Sequence, residues 1–409
     1  MAEITAARPT KTAPDNDGQA RRAVMILAWG QAVLGAQLPV QIILAGLVGA
    51  MLAHDVAFAT VPITVMVLGS MVGAPILSTI MGRIGRRPGF LIAASAGALG
   101  AWINLNGILA QDFQLFLIGN FVSGMYWAGH NLYRFAAADL ASPEFRPKAI
   151  SWVMAAGLVS AILGPEIAKY FGDALAPVPH AGAYQALIWL NLLGALPLLF
   201  LDIPLPRKPK DTKTSKRPLR EILSEPRVPV AMLCAMVSYG LMNLMMTSTP
   251  LAMIACGFIT AQAAGVVQGH VLSMYIPSFF TGGLIARFGA TRIIATGLGA
   301  IALAAGVAAS GITLVHFYAG LILLGIGWNF GFIGATSMLA DAVAPEDRAR
   351  MQGLNDFCVM AFVGVASASS GVLLSAGGWA AVQIAAVPML TLAGGALIWL
   401  TLRRPAAAA

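Results

Sequence analysis

Charge is scarce in this sequence. Asp, Glu, Lys and Arg make up 10% of its 409 residues, against about 25% in a soluble globular chain. Beside 58% hydrophobic residues, that shortage excludes an ordinary water-soluble domain. Acids are the scarcer sign, 17 against 25 Lys and Arg, leaving a net charge of +8. Cysteine is nearly absent: Cys234, Cys256 and Cys358 are the only three, too few to read as a disulfide framework. No catalytic triad, phosphate loop or dense carboxylate cluster argues for an enzyme.

What is abundant is apolar sequence. Twelve runs are expected to cross the bilayer: 23–50, 58–81, 89–109, 113–133, 149–170, 183–202, 228–250, 262–286, 292–311, 314–339, 351–376 and 380–402. Each is long enough, as a helix, to span roughly 30 Å of hydrocarbon. With the N-terminus inside, every Lys and Arg except Lys169 falls at the cytoplasmic side, which sets the orientation. Residues 1–22 are polar, carry no cleavable signal and read as a disordered cytoplasmic tail. Eight basic residues between Arg207 and Arg227 mark a cytoplasmic linker, 203–227. It separates bundles of six spans at 23–202 and 228–402, and 403–409 forms a second cytoplasmic tail.

The two bundles repeat one another. Asp139-Leu-Ala-Ser-Pro-Glu-Phe-Arg-Pro-Lys148 recurs 202 residues later as Asp341-Ala-Val-Ala-Pro-Glu-Asp-Arg-Ala-Arg350. Arg83-Ile-Gly85 recurs as Arg287-Phe-Gly289, and Gly124-Met-Tyr-Trp127 as Gly325-Ile-Gly-Trp328. One period of about 203 residues implies two pseudo-symmetric halves with a path between them. The expected fold is an all-α membrane protein, twelve transmembrane helices in two six-helix bundles.

Six of the 19 methionines crowd into Val228–Met253, where about one is expected. Met242 and Met246 lie one turn apart on one helical face. The following span carries His270 and Met274 at the same spacing. Thioether and imidazole suit Cu(I), a soft ion. Counted inward from the connecting turn, Met242 and His270 share a depth of roughly 12 Å, bracketed by Met246 and Met274. The same spacings also serve packing, since methionine fills gaps in apolar cores.

Other polar residues lie inside the spans. Asn120, Gly124, Trp127 and Asn131 fall on one face of the fourth span. Trp328 and Asn329 match them in the tenth, and Tyr239 and Asn243 add to the seventh. Together they form a possible cavity for a flat polar ligand, or an ordinary interhelical packing surface. His130 reads as a packing or cavity residue. Glu166 and Lys169 read as a local pair. Asp356, one turn into the eleventh span, is placed to pair with Arg83 or Arg86 across the halves as a cytoplasmic gate, or to favour its own helix N-terminus.

Ser78-x-x-x-Gly82-Arg83-x-Gly85-Arg86-Arg87 resembles the signature loop of the major facilitator superfamily, with Gly82 where the family carries Asp. Asn120 stands where proton-coupled members carry Arg. Gly164-Pro165 resembles part of the antiporter motif, which allows drug efflux as one alternative. The Met-x-x-x-Met and His-x-x-x-Met pairs, with Leu132-Tyr133-Arg134 and His270 through Phe280, resemble the CcoA-like copper importers of that superfamily. The resemblance implies copper import across the bacterial inner membrane, feeding cytochrome oxidase assembly. Met242, Met246, His270 and Met274 would form the metal site, and Met253, Cys256 and Cys234 a relay. It implies copper as substrate with no resident cofactor and cytosolic copper carriers as partners. The charge map places both termini in the cytoplasm, the basic linker reads as a solvated topology anchor rather than a nucleic-acid site, and a monomer is expected. Close relatives in this group are riboflavin transporters, so uptake of riboflavin or another small aromatic solute is the other expectation.

Overall fold

The computed structural model describes residues 16–140, 145–203, 217–344 and 347–403. The repeated Asp139–Lys148 and Asp341–Arg350 segments therefore fall partly outside the described residues. Within them the chain is helical and contains no strand. In chain order, α1 runs Asn16–Val33, passes a 3-10 turn at Leu34–Ala36 and resumes at Gln37–Leu52. Next come α2 (Val61–Ile84), α3 (Arg86–Leu109), α4 (Phe113–His130), α5 (Arg146–Phe171) and α6 (Ala181–Gly194). The second half has α7 (Arg227–Ala255), α8 (Thr260–Tyr275, then Ser278–Phe288), α9 (Ala290–Ser310), α10 (Leu314–Ala342), α11 (Arg348–Ile384) and α12 (Ala386–Leu402).

Among the described residues nine helices are long and apolar enough to cross a membrane, ten with the two parts of α8 taken as one span. One of the nine, Arg350–Leu402, covers both α11 and α12; its 53 residues break at Gly378. The 18-residue α4 completes the twelve. Two boundaries depart from expectation. Helix α1 begins at Asn16, inside the stretch read as a tail, and a short helix, Leu219–Ser224, lies within the linker.

Local chemistry explains the breaks. The Asp112 carboxylate accepts from the Gln114 and Leu115 amides and caps α4. Gly85 and Gly289 hold φ of 100° and 83° at the α2–α3 and α8–α9 turns. Only glycine takes that conformation without strain, so the repeated Arg-x-Gly is a repeated turn. In α8, Pro277 has no N–H and the helix bends by 42°. Asn329 of α10 clamps the bend: Nδ2 donates to Met274 O (2.7 Å) and to Ser278 Oγ (2.6 Å), and Oδ1 accepts from Thr281 Oγ1 (2.6 Å). In α7, Pro250 leaves the Met246 carbonyl without its helical donor. Thr247, Ser248 and Thr249 bond back to the preceding turn beside it.

The halves meet along α2 with α11, α5 with α8, and α1 with α7. The α1–α2 turn lies at the end of the bundle remote from the start of α1 and the close of α12, here called the distal end. There the fully buried Thr60 hydroxyl donates to Ser367 O (2.8 Å) and accepts from the Gly371 amide (3.1 Å). A methyl group on Gly371 would come within 2.7 Å of Ala57 O and 2.8 Å of Thr60 Oγ1, so glycine permits the close approach. Gln268 of α8 donates to Glu166 Oε1 of α5 (3.3 Å), and Glu166 also holds Lys169 (2.6 Å). Glu166 thus joins the halves as well as forming its local pair.

The distal seal is testable. T60V removes both inter-half hydrogen bonds, worth about 1–3 kcal/mol when left unmade in a buried site. With the exposed Cys256 replaced by serine, labelling of a cysteine placed at Ser367 by an impermeant maleimide is expected to accelerate roughly tenfold in that background. An unchanged labelling rate contradicts the latch.

Candidate functional site

Three helices of the second half, α7, α8 and α10, touch one another and carry most of the residues singled out in the sequence. Their side chains sort into partnered and unpartnered groups.

The sulfur–imidazole set is buried. Met242, Met246, His270 and Met274 are 2, 4, 0 and 8% exposed, so none faces lipid. His270 Nδ1 lies 2.8 Å from Leu321 O of α10. A carbonyl only accepts, so Nδ1 carries the proton and Nε2 carries the lone pair. Nε2 has no partner. Contacts on α10 give the levels of these residues. Tyr239 packs its ring 5.5 Å from Trp328 and 5.1 Å from Phe332. His270 meets α10 at Leu321, and Met274 meets it at Gly325 and Asn329. Helix α7 runs antiparallel to α10, so stepping along both at 1.5 Å per residue puts Met246 level with His270 and Met242 level with Met274. That shifts the expected pairing of Met242 with His270 by one helical turn. The continuation of α7 past Pro250 to Ala255 and the anchor on Leu321 set this register.

The relay residues are spread along α7. Cys234 and Met253 are buried in the helix, and Cys256 is exposed at its distal end. Among the described residues no three His, Cys, Asp or Glu side chains gather as a metal group.

An aromatic wall stands beside the same helices. Trp328 and Phe332 stack at 5.4 Å and 15°, and Tyr239 meets both edge-on. Trp328 is 8% exposed and its Nε1 donor has no partner. Asn243, one turn above Tyr239 on α7, has an unpartnered Nδ2. Trp127, which occupies the equivalent place in the first half, is also buried. Phe332 went unnoticed in the sequence, although it lies one turn from Trp328.

Asn120 and Asn329, also expected at the cavity, bond to neighbouring helices. Asn120 Nδ2 donates to Asn104 Oδ1 (3.0 Å) and Phe116 O (2.9 Å), tying α4 to α3. Asn329 clamps α8, and Asn131 is exposed past the end of α4. His130 packs between Tyr126 and Tyr133. In α1, Gln37 accepts from Asn191 Nδ2 of α6 (2.7 Å), a bond the sequence signals only as a glutamine in an apolar run. Arg83 and Arg87 are exposed and Arg86 half-buried around Gly85. Asp356 accepts from Asn355 Nδ2 (3.4 Å).

Among the described residues the interior carries little charge. Among the described residues the fully buried polar groups are amides, hydroxyls and two histidines. Asp347, at the start of α11, is the one buried acid and lies at the end opposite the distal seal.

Comparison with known proteins agrees with this architecture. A family model described as Major Facilitator Superfamily matches residues 23–277 and 257–409. The chain is 41% identical to "Riboflavin transporter RfnT" of Brucella anthropi, over 91% of this chain and 94% of that one. It is 27% identical to the uncharacterized MFS-type transporter YddS of Bacillus subtilis, over 93% and 91% of the two chains. Among solved structures, a mutant of the nucleoside transporter NupG superposes with a TM-score of 0.71 at 14% identity, over 93% and 99%. An inward-facing, occupied bacterial homolog of the human lysosomal transporter Spinster gives 0.65 at 14%, over 96% and 98%. Identities this low speak for the fold alone. The repeated Arg-x-Gly turn, the twelve spans in two halves and the family match together make this chain a member of the major facilitator superfamily.

Proposed function

We propose that this transporter carries an uncharged aromatic solute of the riboflavin type into the cytoplasm by alternating access across the bacterial inner membrane. One observation carries the reading. A wall of Tyr239, Trp328 and Phe332, with unpartnered donors on Trp328 and Asn243, sits in a chain 41% identical to a protein named as a riboflavin transporter. Aromatic faces suit a stacked ring, and buried donors without partners suit its carbonyls. An interior with little charge suits a solute without charge, because a buried ion with no counter-charge is costly. The positive-inside pattern supports cytoplasmic termini. In the same picture Asp356 and the Arg83–Arg87 turn serve as the cytoplasmic gate, opposite the Thr60 latch.

Copper import is the second reading, and a specific observation favours it. His270 Nε2 is a bare nitrogen lone pair, and Met246 lies level with it. A soft cation is a fitting partner for both. In that case Met253, Cys256 and Cys234 relay the ion, with cytosolic carriers and cytochrome oxidase assembly downstream.

Labelled riboflavin and labelled copper, offered to cells with and without the chain, separate the readings. Riboflavin accumulation is expected to depend on the chain; copper accumulation alone, lost in H270A, would replace the first reading by the second. Riboflavin 5′-phosphate is expected to compete at least a hundredfold less well than riboflavin, since its charge meets no buried cation among the described residues of the site. W328A is expected to weaken riboflavin affinity about tenfold in an equilibrium binding measurement, through the lost ring contact and donor.

A further inference from the structure

Among the described residues five buried polar atoms stand unpartnered on the three mutually touching helices: Arg227 Nε at the start of α7, Ser238 Oγ, Asn243 Nδ2, His270 Nε2 and Trp328 Nε1. Trp328 Nε1 and Asn243 Nδ2 are donors only, and His270 Nε2 is an acceptor only. Trp328, Asn243 and His270 are 8, 5 and 0% exposed, so bulk water barely reaches them. The acceptor role of Nε2 is forced by the Leu321 carbonyl on the other ring nitrogen. By the register set on α10, the three fall within about two helical turns, roughly 10 Å. Their neighbour Asn329 bonds through both of its amide atoms.

Two donors and one acceptor complement a ring edge on which two carbonyls flank one N–H. We propose that this site recognises the cyclic imide of a flat, neutral ring, with His270 accepting from the imide N–H and Asn243 and Trp328 donating to the carbonyls. The inference rests on the aromatic-solute reading and sharpens it. A flavin ring carries this edge, and so does a uracil base; the imide is the chemistry they share. A ring without carbonyls leaves both donors unmet. A ring whose imide nitrogen is blocked leaves His270 unmet. Bare Cu(I) meets His270 and neither donor. Each buried group left unmet costs about tenfold or more in affinity.

Competition against labelled riboflavin, on the full chain in membranes, tests this. The competitors are riboflavin, 3-methylriboflavin, uridine and 3-methyluridine. Methylation of the imide nitrogen is expected to weaken riboflavin tenfold or more on the unmodified chain. Weak competition by uridine assigns the site to flavins, and strong competition that 3-methyluridine loses assigns it to imides of both kinds. In H270L the parent is expected to fall to the level of its methyl analogue, so the penalty disappears. The comparison on the unmodified chain stands even where the variant does not fold. Bound riboflavin with no methylation penalty overturns the imide site and leaves the proposed function intact. Absent riboflavin binding overturns the proposed function. Labelled uridine then decides the imide: binding with the same penalty upholds it, and no binding overturns it.

Discussion

A polar atom inside a bilayer has no water to turn to, and the interior of this chain is organised around that fact. An unmet buried hydrogen-bonding group costs about 1–3 kcal/mol or more. Several interior polar side chains therefore bond to a neighbouring helix. Asn120 reaches Asn104, Asn191 reaches Gln37, Thr60 reaches the α11 backbone, and Asn329 repairs the break in α8. These contacts set which helices neighbour one another and where α8 bends. The unpartnered atoms of Trp328, Asn243 and His270 lie on the three helices that carry the aromatic wall, where the proposed solute would meet them.

The same constraint links architecture to transport. Glycine at 371 and the hydroxyl of Thr60 bring the halves together at the distal end through backbone atoms, without any charge. Hydrogen bonds of this kind are strong enough to hold a closed state and weak enough for a few kcal/mol of ligand binding to shift it. The site residues lie on α7, α8 and α10. Two of these helices also touch the first half, α7 at α1 and α8 at α5. A ligand ordering these helices thus acts on elements that take part in closure.

Much of the fold was legible in the sequence. Long apolar runs, the one-sided distribution of Lys and Arg and the 203-residue period determine spans and halves, because the bilayer demands them. The repeated glycines of the Arg-x-Gly turns announced positive φ, which the backbone confirms at Gly85 and Gly289. The site was legible only in part. Burial of Met242, Met246, His270 and Met274 follows from their spans, but their register does not. The count took α7 to end near Pro250, but the helix runs on to Ala255, so Met242 rather than Met246 was set opposite His270. Asn120 and Asn329 looked like cavity residues because spacing shows the face of a helix and not the neighbour it meets. Leu321 matters through its carbonyl, which no side-chain pattern reveals. Methionine abundance drew attention to copper; the aromatic contacts of Trp328 and the similarity to a riboflavin transporter shift the weight to a flat ring.

The central claim is that the unpartnered donors of the second half exist for the solute. The most direct test is the indole N–H resonance of Trp328, observed in the full chain with nitrogen-labelled tryptophan and assigned by its loss in W328F. On titration with riboflavin the resonance is expected to move downfield saturably, as a new hydrogen bond forms at Nε1. A resonance that stays in place while riboflavin is bound would contradict the account.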